Sequence, residues 1–149
     1  MKLEQSHTTD VDRYITNHHY LHSAPAGAKL RLWVKDDNNN VIGAMMWGRP
    51  TARTYDCNRI LELTRMYLIN DTEPFAESKA LSMARKLIRK HLPQVKGLIS
   101  YSSTGENHKG TIYEADGWFA VGLTRAVAWN KQGRKNIDTT QKIRWVRSA

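Results

Sequence analysis

Tyr101, His108 and Tyr113, three side chains able to hold or move protons, crowd the polar stretch Tyr101-Ser102-Ser103-Thr104-Gly105-Glu106-Asn107-His108-Lys109-Gly110-Thr111-Ile112-Tyr113. A neutral imidazole accepts a proton from an attacking amine or orients it, and a phenol delivers one to a departing group. The stretch follows a short run, Leu98 to Ser102, that reads as a parallel strand. Ligands of open α/β sheets bind at the C-terminal ends of such strands. A second reading stays open, in which Tyr113 packs under the sheet with its hydroxyl tied to backbone and His108 is a polar loop residue.

Glu62 and Arg65 lie in the run Ile60 to Ile69. Strict alternation places Leu61, Leu63 and Arg65 on one face and Glu62, Thr64 and Met66 on the other. An arginine on a core face needs a partner. The two residues therefore read as a structural ion pair or a bulge, or else as the lining of an acceptor cleft. In the latter case Glu62 orients an amine or Tyr101, and Arg65 meets an anion. Asn17-His18-His19-Tyr20 closes the first helix, and His18, His19 and His22 are close enough to suggest an iron or zinc site. Favourable interaction of imidazoles with a helix C-terminus explains them as well, and no metal is assigned.

These residues need elements to position them. Helical spacing predicts a helix over Thr8 to His19. Strands follow over Lys29 to Lys35 and Val41 to Trp47, joined by the turn Asp36-Asp37-Asn38-Asn39-Asn40. Gly48 to Arg59 is a polar loop, and Ile60 to Ile69 a third strand. A helix from Pro74 to His91, with Asp71 or Thr72 as its cap, crosses to the strand Leu98 to Ser102. Thr111 to Asp116 forms a short helix ending at Gly117. Phe119 to Trp129 and Lys142 to Val146 close the sheet. The expected class is layered α/β, a mixed sheet with a long crossover helix, in a single domain over residues 1–149.

The chain has 149 residues and a formal net charge of +9. Between Trp118 and Ala149 seven basic residues face one acidic residue, Asp138, and Arg85 to Lys96 holds five basic residues and no acid. Such asymmetry favours a polyanionic partner, since neutralising phosphates releases counterions. One cysteine, Cys57, excludes an intrachain disulfide framework and a cysteine-cluster metal site. No apolar run is long enough to span a bilayer. The expectation is a soluble, cytoplasmic protein with no membrane partner, and a homodimer is plausible as the commonest assembly.

Tyr113-x-x-x-Gly117-Trp118 resembles the tyrosine-to-glycine-aromatic signature of the GNAT superfamily of N-acetyltransferases. The longer string His108-x-Gly110-Thr111-Ile112-Tyr113-x-Ala115-x-x-Trp118 resembles the phage Mom family more narrowly, as do Gly48-Arg49-Pro50-x-Ala52-Arg53 and Glu62-Leu63-Thr64-Arg65. The resemblance spans about residues 17 to 122. It implies a GNAT-like, mostly antiparallel central sheet with helices on both faces. It also implies a transferase that installs a carbamoylmethyl-type group on the N6 amine of adenine in DNA, protecting phage genomes from restriction.

On this resemblance Tyr113 is the acid, His108 the base or orienter, and Glu62 and Tyr101 complete the catalytic set. His19 and Tyr20 fall beside the acceptor, as does Arg65. Extruding a base from duplex DNA requires a stacking platform. Trp47 and Tyr101 are read as that platform, with Arg49, Arg53 and Arg59 on the backbone. The superfamily implies acetyl-CoA or another acyl donor. Yet the stretch Asn70 to Ser78 lacks the glycines of a pyrophosphate loop and carries Asp71, Glu73 and Glu77. Ser78, Lys79 and Arg85 are the residues that could receive a phosphate in a different pose. Two competitors remain: an acetyl-CoA-dependent N-acetyltransferase acting on a protein or small amine, and a noncatalytic phage protein that binds DNA or blocks a defence nuclease.

Overall fold

The structure, a computed structural model, describes residues 1–70, 72–103, 110–124 and 141–149. Among these residues the strands are β1 (Lys2–Ser6), β2 (Leu30–Lys35), β3 (Val41–Gly48), β4 (Ile60–Leu68), β5 (Gly97–Ser103), β6 (Phe119–Leu123) and β7 (Lys142–Ser148). They form one sheet in the order β1-β2-β3-β4-β5-β7-β6. Every neighbouring pair is antiparallel except β4 and β5. The helices are α1 (Asp10–His18), α2 (Ala76–His91) and α3 (Thr111–Ala115). The mixed, mostly antiparallel sheet with helices on both faces is the architecture expected from the sequence.

Alternation along the strands sorts side chains into two layers. Leu30, Leu32, Val34, Met45, Trp47, Leu61 and Leu63 meet Ala80, Leu81, Ala84 and Ile88 of α2 and Tyr113 of α3 in the larger core. Ala44 and Met46 face the other way and bury Val11 and Ile15 of α1. Asp12 on α1 takes two hydrogen bonds from the Arg31 guanidinium on β2, at 2.7 and 3.2 Å, which pins the helix over its half of the sheet.

The differences from expectation are local. Strand β1 escapes pattern reading because Lys-Leu-Glu-Gln-Ser has one apolar residue; pairing with β2 makes it a strand. Helix α2 begins at Ala76, after Phe75 in a left-handed conformation at φ 63°, so Thr72 does not cap it and Pro74 lies outside it, while Asp71 lies outside the described residues. The expected strand from Phe119 to Trp129 is described as far as Leu123, and the residues from 125 to 140 lie outside the described set.

The relationship that shapes the site is the pairing of β4 with β5. Ile60, Leu61 and Glu62 pair in parallel with Gly97, Leu98 and Ile99, and the strands pair no further. β4 continues against β3 as far as Leu68, and β5 against β7 as far as Ser103. The strands therefore diverge beyond Glu62 and leave a wedge in the middle of the sheet.

Candidate active site

That wedge opens into a cleft of about 910 Å³, lined along one side by Leu63 to Leu68 of β4 and along the other by Ser100 to Ser103 of β5. His18 to Leu21 after α1, Thr51 and Ala52 of the preceding loop, Glu77 of α2, Gly110 to Tyr113 and Lys142 complete the walls. Because the opening passes through the sheet, it joins the two layers. Strand register puts Ser100 on the α2 side with Trp145, and Tyr101 on the opposite side with Arg144.

Tyr113 stands on the α2 side, 7 % exposed, with its ring stacked on Trp145 at 5.7 Å and edge-on to Trp118 at 5.3 Å. Its hydroxyl lies 2.8 Å from Ser100 Oγ, whose own proton reaches the Leu63 carbonyl at 3.3 Å. Burial pushes the phenol up to about 12; the Ser100 hydrogen bond opposes this, and Tyr20, Glu62 and Glu77 add to it. At neutral pH such a phenol is protonated and serves as an acid rather than a base. Gly110 precedes the short helix at φ +69°, and a Cβ there would meet the Trp145 ring at 2.4 Å. Only glycine allows this approach, which sets the phenol against the wedge.

Across the opening, Glu62 is 6 % exposed. Its Oε1 accepts hydrogen bonds from the Thr51 backbone N–H at 2.9 Å and the Thr51 hydroxyl at 3.1 Å. Burial raises the carboxyl above its ordinary value, against the pull of Thr51, Arg65 and Lys142. A carboxylate raised towards neutrality is a better proton acceptor than an exposed one. Tyr101 is half-buried beside it, its hydroxyl pushed up to about 12 by burial, with Glu62 and Tyr55 adding and Arg144 opposing.

Arg65 shares this face with Glu62, against the expectation from strict alternation. Gly48 pairs with Glu62, Trp47 with Leu63 and Met46 with Arg65, so Thr64 is an extra residue in β4 and reverses the alternation after it. Its hydroxyl donates to the Met46 carbonyl at 3.1 Å, securing the bulge. The Arg65 guanidinium donates to the Ser23 carbonyl at 3.1 Å and the Ser23 hydroxyl at 3.2 Å, tying down the chain after Tyr20. Burial lowers the guanidinium below its ordinary value, opposed by Tyr20 and Glu62. His19 is buried, its Nδ1 accepting the Leu21 N–H at 3.2 Å, and its ring lies 4.5 Å from that of Tyr20, which is 39 % exposed.

Other expected site residues stand elsewhere. Trp47 is fully buried in the larger core, so its ring is no platform for a base. Arg85 makes paired hydrogen bonds of 2.9 and 2.7 Å to Asp116, which also accepts from Trp118 Nε1, and it does not line the cleft. Lys79 pairs with Glu73 at 3.3 Å and the Ser78 hydroxyl donates to the Phe75 carbonyl at 3.0 Å. Arg49 and Arg53 are exposed on the loop that supplies Thr51. His108 lies outside the described residues, as does the basic run from Arg125 to Lys135. Among the described residues no cluster of histidine, cysteine and carboxylate side chains could hold a metal ion. No helix of the described residues is long and apolar enough to cross a membrane.

Cleft residues not anticipated from sequence include Thr51, Ser100 and Lys142. Ser100 left a readable trace, a hydroxyl in the otherwise apolar run Leu98-Ile99-Ser100. The others depend on long-range contacts and left none.

Solved structures share this fold. The spermidine N-acetyltransferase of Vibrio cholerae, in a dodecameric structure of an intermediate state, matches with a TM-score of 0.66 over 99% of this chain and 92% of that one, at 15% identity. An acetyltransferase of the GNAT family from Streptococcus pneumoniae matches at 0.59 over 80% and 67%, at 12% identity. In sequence, the chain is 25% identical over 134 residues to the methylcarbamoylase mom of Escherichia phage Mu, covering 85% of this chain and 52% of that protein. The chain thus spans about half the length of this curated relative. The model of the Mom protein family matches residues 2–147, nearly end to end. On a GNAT-like fold, with that match over almost its whole length, the chain belongs to the Mom protein family.

Proposed function

We propose that this protein is a DNA-modifying transferase that adds a small acyl-like, carbamoylmethyl-type group to the exocyclic N6 amine of adenine and so protects phage DNA from restriction. The observation that carries the reading is the divergence of β4 and β5, which sets the Tyr113 phenol on one side of an open wedge and the Glu62 carboxyl with Tyr101 on the other. Family membership and the methylcarbamoylase relative support the substrate class.

The N6 lone pair is delocalised into the purine ring, so the amine attacks only as its proton is withdrawn. Glu62 is placed to take that proton: Thr51 occupies Oε1, and Oε2 makes no hydrogen bond to a described residue. Tyr113 supplies a proton to the leaving atom of the donor. His19, Tyr20 and Arg65 frame the acceptor side. An extruded base stacks on aromatic surface, and with Trp47 buried that surface is Tyr20 and Tyr101. Arg49 and Arg53, exposed beside Thr51, meet the phosphate backbone and give affinity without sequence preference.

The residues present do not fit the pyrophosphate of coenzyme A. Glu77 lines the cleft at the start of α2, Glu73 engages the nearby Lys79, and Pro74 has no N–H to offer. A helix N-terminus attracts anions, but carboxylates there oppose it. The donor in this reading is a small activated carrier rather than a dinucleotide-sized one. Mass spectrometry of nucleosides from DNA of cells expressing the protein tests the proposal. A new adenosine mass supports it; unchanged nucleosides in cells with abundant folded protein overturn it.

A further inference from the structure

We propose that Ser100 is a positioning residue that works through Tyr113, exchanging the direction of their shared hydrogen bond as the phenol gives up its proton. The inference rests on the transferase reading above. Ser100 is 1 % exposed, faces the α2 side of the wedge, and its Oγ lies within reach of two oxygens, Tyr113 Oη at 2.8 Å and the Leu63 carbonyl at 3.3 Å. A carbonyl can only accept. With the Ser100 proton on the Leu63 carbonyl, one of the two seats within its reach, the phenol donates to Ser100. The Tyr113 proton then points at Ser100, and the phenol is idle as an acid.

Delivering that proton requires the phenol to turn its O–H into the cleft. The Ser100 hydroxyl is then released to rotate from the Leu63 carbonyl onto Tyr113 Oη, where it meets the developing phenolate. The step balances. The bond from the transferred carbon to the leaving atom breaks, and that atom, departing as an anion such as a thiolate or an alkoxide, takes the Tyr113 proton. The amine forms its new bond to carbon and yields one proton to Glu62. The proton held on Glu62 ultimately restores the phenol, directly or through solvent. The Leu63 carbonyl is available as the resting partner because β5 leaves β4 immediately after Glu62. The strand divergence that opens the cleft thus also creates the second seat for the serine hydroxyl. Stacking on Trp145 and the edge contact with Trp118 hold the phenol ring while the protons move.

The test compares Ser100→Ala, Ser100→Thr and Tyr113→Phe, singly and with Ser100→Ala and Tyr113→Phe combined, in protein carrying tyrosine labelled at Cζ with carbon-13. Of the six tyrosine signals, the one missing in Tyr113→Phe is expected to shift in Ser100→Ala and to return towards its parent position in Ser100→Thr. Modified adenine in cellular DNA, measured as an initial rate per amount of folded protein, should fall about fivefold in Ser100→Ala, the size of one hydrogen bond. Threonine should restore it, and Ser100→Ala should cost nothing more once Tyr113 is phenylalanine. A Tyr113 signal that stays in place in Ser100→Ala overturns the role, as does equal slowing by alanine and threonine. Parent protein that leaves adenine unmodified overturns the transferase reading beneath it, an outcome the carbon signal distinguishes.

Discussion

Glu62 and Arg65 stand on the same face of β4, although three residues of regular strand would set them on opposite faces. The extra residue Thr64 makes the difference: Gly48 pairs with Glu62 and Met46 with Arg65, with the bulge between them. A carboxylate and a guanidinium thus flank one opening, the first anchored by Thr51 and the second by Ser23.

The Glu62 carboxyl is raised by burial above its ordinary 4.5. Between the ordinary and the raised values the native state binds more protons than the unfolded chain. The contribution of Glu62 to stability is therefore greatest below that window and falls as pH rises through it. Glutamine does not titrate. The difference in thermal midpoint between Glu62→Gln and the parent should move in favour of the variant as pH is raised from about 4 to about 7. A difference that stays constant with pH contradicts the assignment. DNA modification by Glu62→Gln should fall by a factor of about 100 or more, the scale of a lost general base.

Arg65 holds Ser23 through its backbone carbonyl and its hydroxyl. Removing a charged donor costs about 1.5–3 kcal/mol locally, so backbone amides in the segment 20–28 should exchange roughly ten- to a hundredfold faster in Arg65→Ala. Lysine keeps the charge but not the fork, and should recover less than half of the effect in free-energy terms. Hydrogen exchange resolved to that segment checks both; unchanged protection in Arg65→Ala contradicts the anchor.

Arg85 and Asp116 form a buried pair that joins α2 to the end of α3. Asp116→Ala leaves a guanidinium without its partner and should destabilise by about 3–5 kcal/mol in denaturant unfolding. The double change Arg85→Met with Asp116→Leu should recover most of that loss. An Asp116→Ala variant as stable as the parent would show that the pair holds nothing.

Much of the architecture was legible in the sequence because period and turn chemistry are local. The hairpin at Asp36 to Asn40, the crossover helix and the strand leading to Ser100 all announce themselves in this way. β1 did not, since Leu3 alone carries its apolar signal and pairing with β2 decides it. The site was half legible. Tyr113, Glu62, Tyr101, Arg65, His19 and Tyr20 all reach one cleft. Strict alternation alone put Arg65 on the wrong face, and the bulge that the sequence left open as one alternative is what turns it. Trp47 was read as a stacking platform for a base, whereas its register places it in the core. Arg85 was taken for an anion site because its partner, Asp116, lies far along the chain and meets it only on folding.

Arg49 and Arg53 are exposed beside the Thr51 anchor of Glu62. If they meet phosphates, the double change to alanine should weaken binding to duplex DNA alike for unrelated sequences and reduce the salt slope by about 2. Titration by fluorescence anisotropy across a range of ionic strengths reads both quantities. An unchanged slope would place the backbone contacts elsewhere.

The most direct test of the central claim, that the wedge between β4 and β5 is a reaction centre with the Tyr113 phenol as its acid, is to replace that phenol by phenylalanine. The stacking on Trp145 and the edge contact with Trp118 are kept, so fold and DNA affinity should stay near those of the parent. Nucleoside mass spectrometry of DNA from cells expressing each protein should then show modified adenine with the parent and at least about a hundredfold less with Tyr113→Phe. Equal modification by the two proteins, at equal levels of folded protein, would contradict the account.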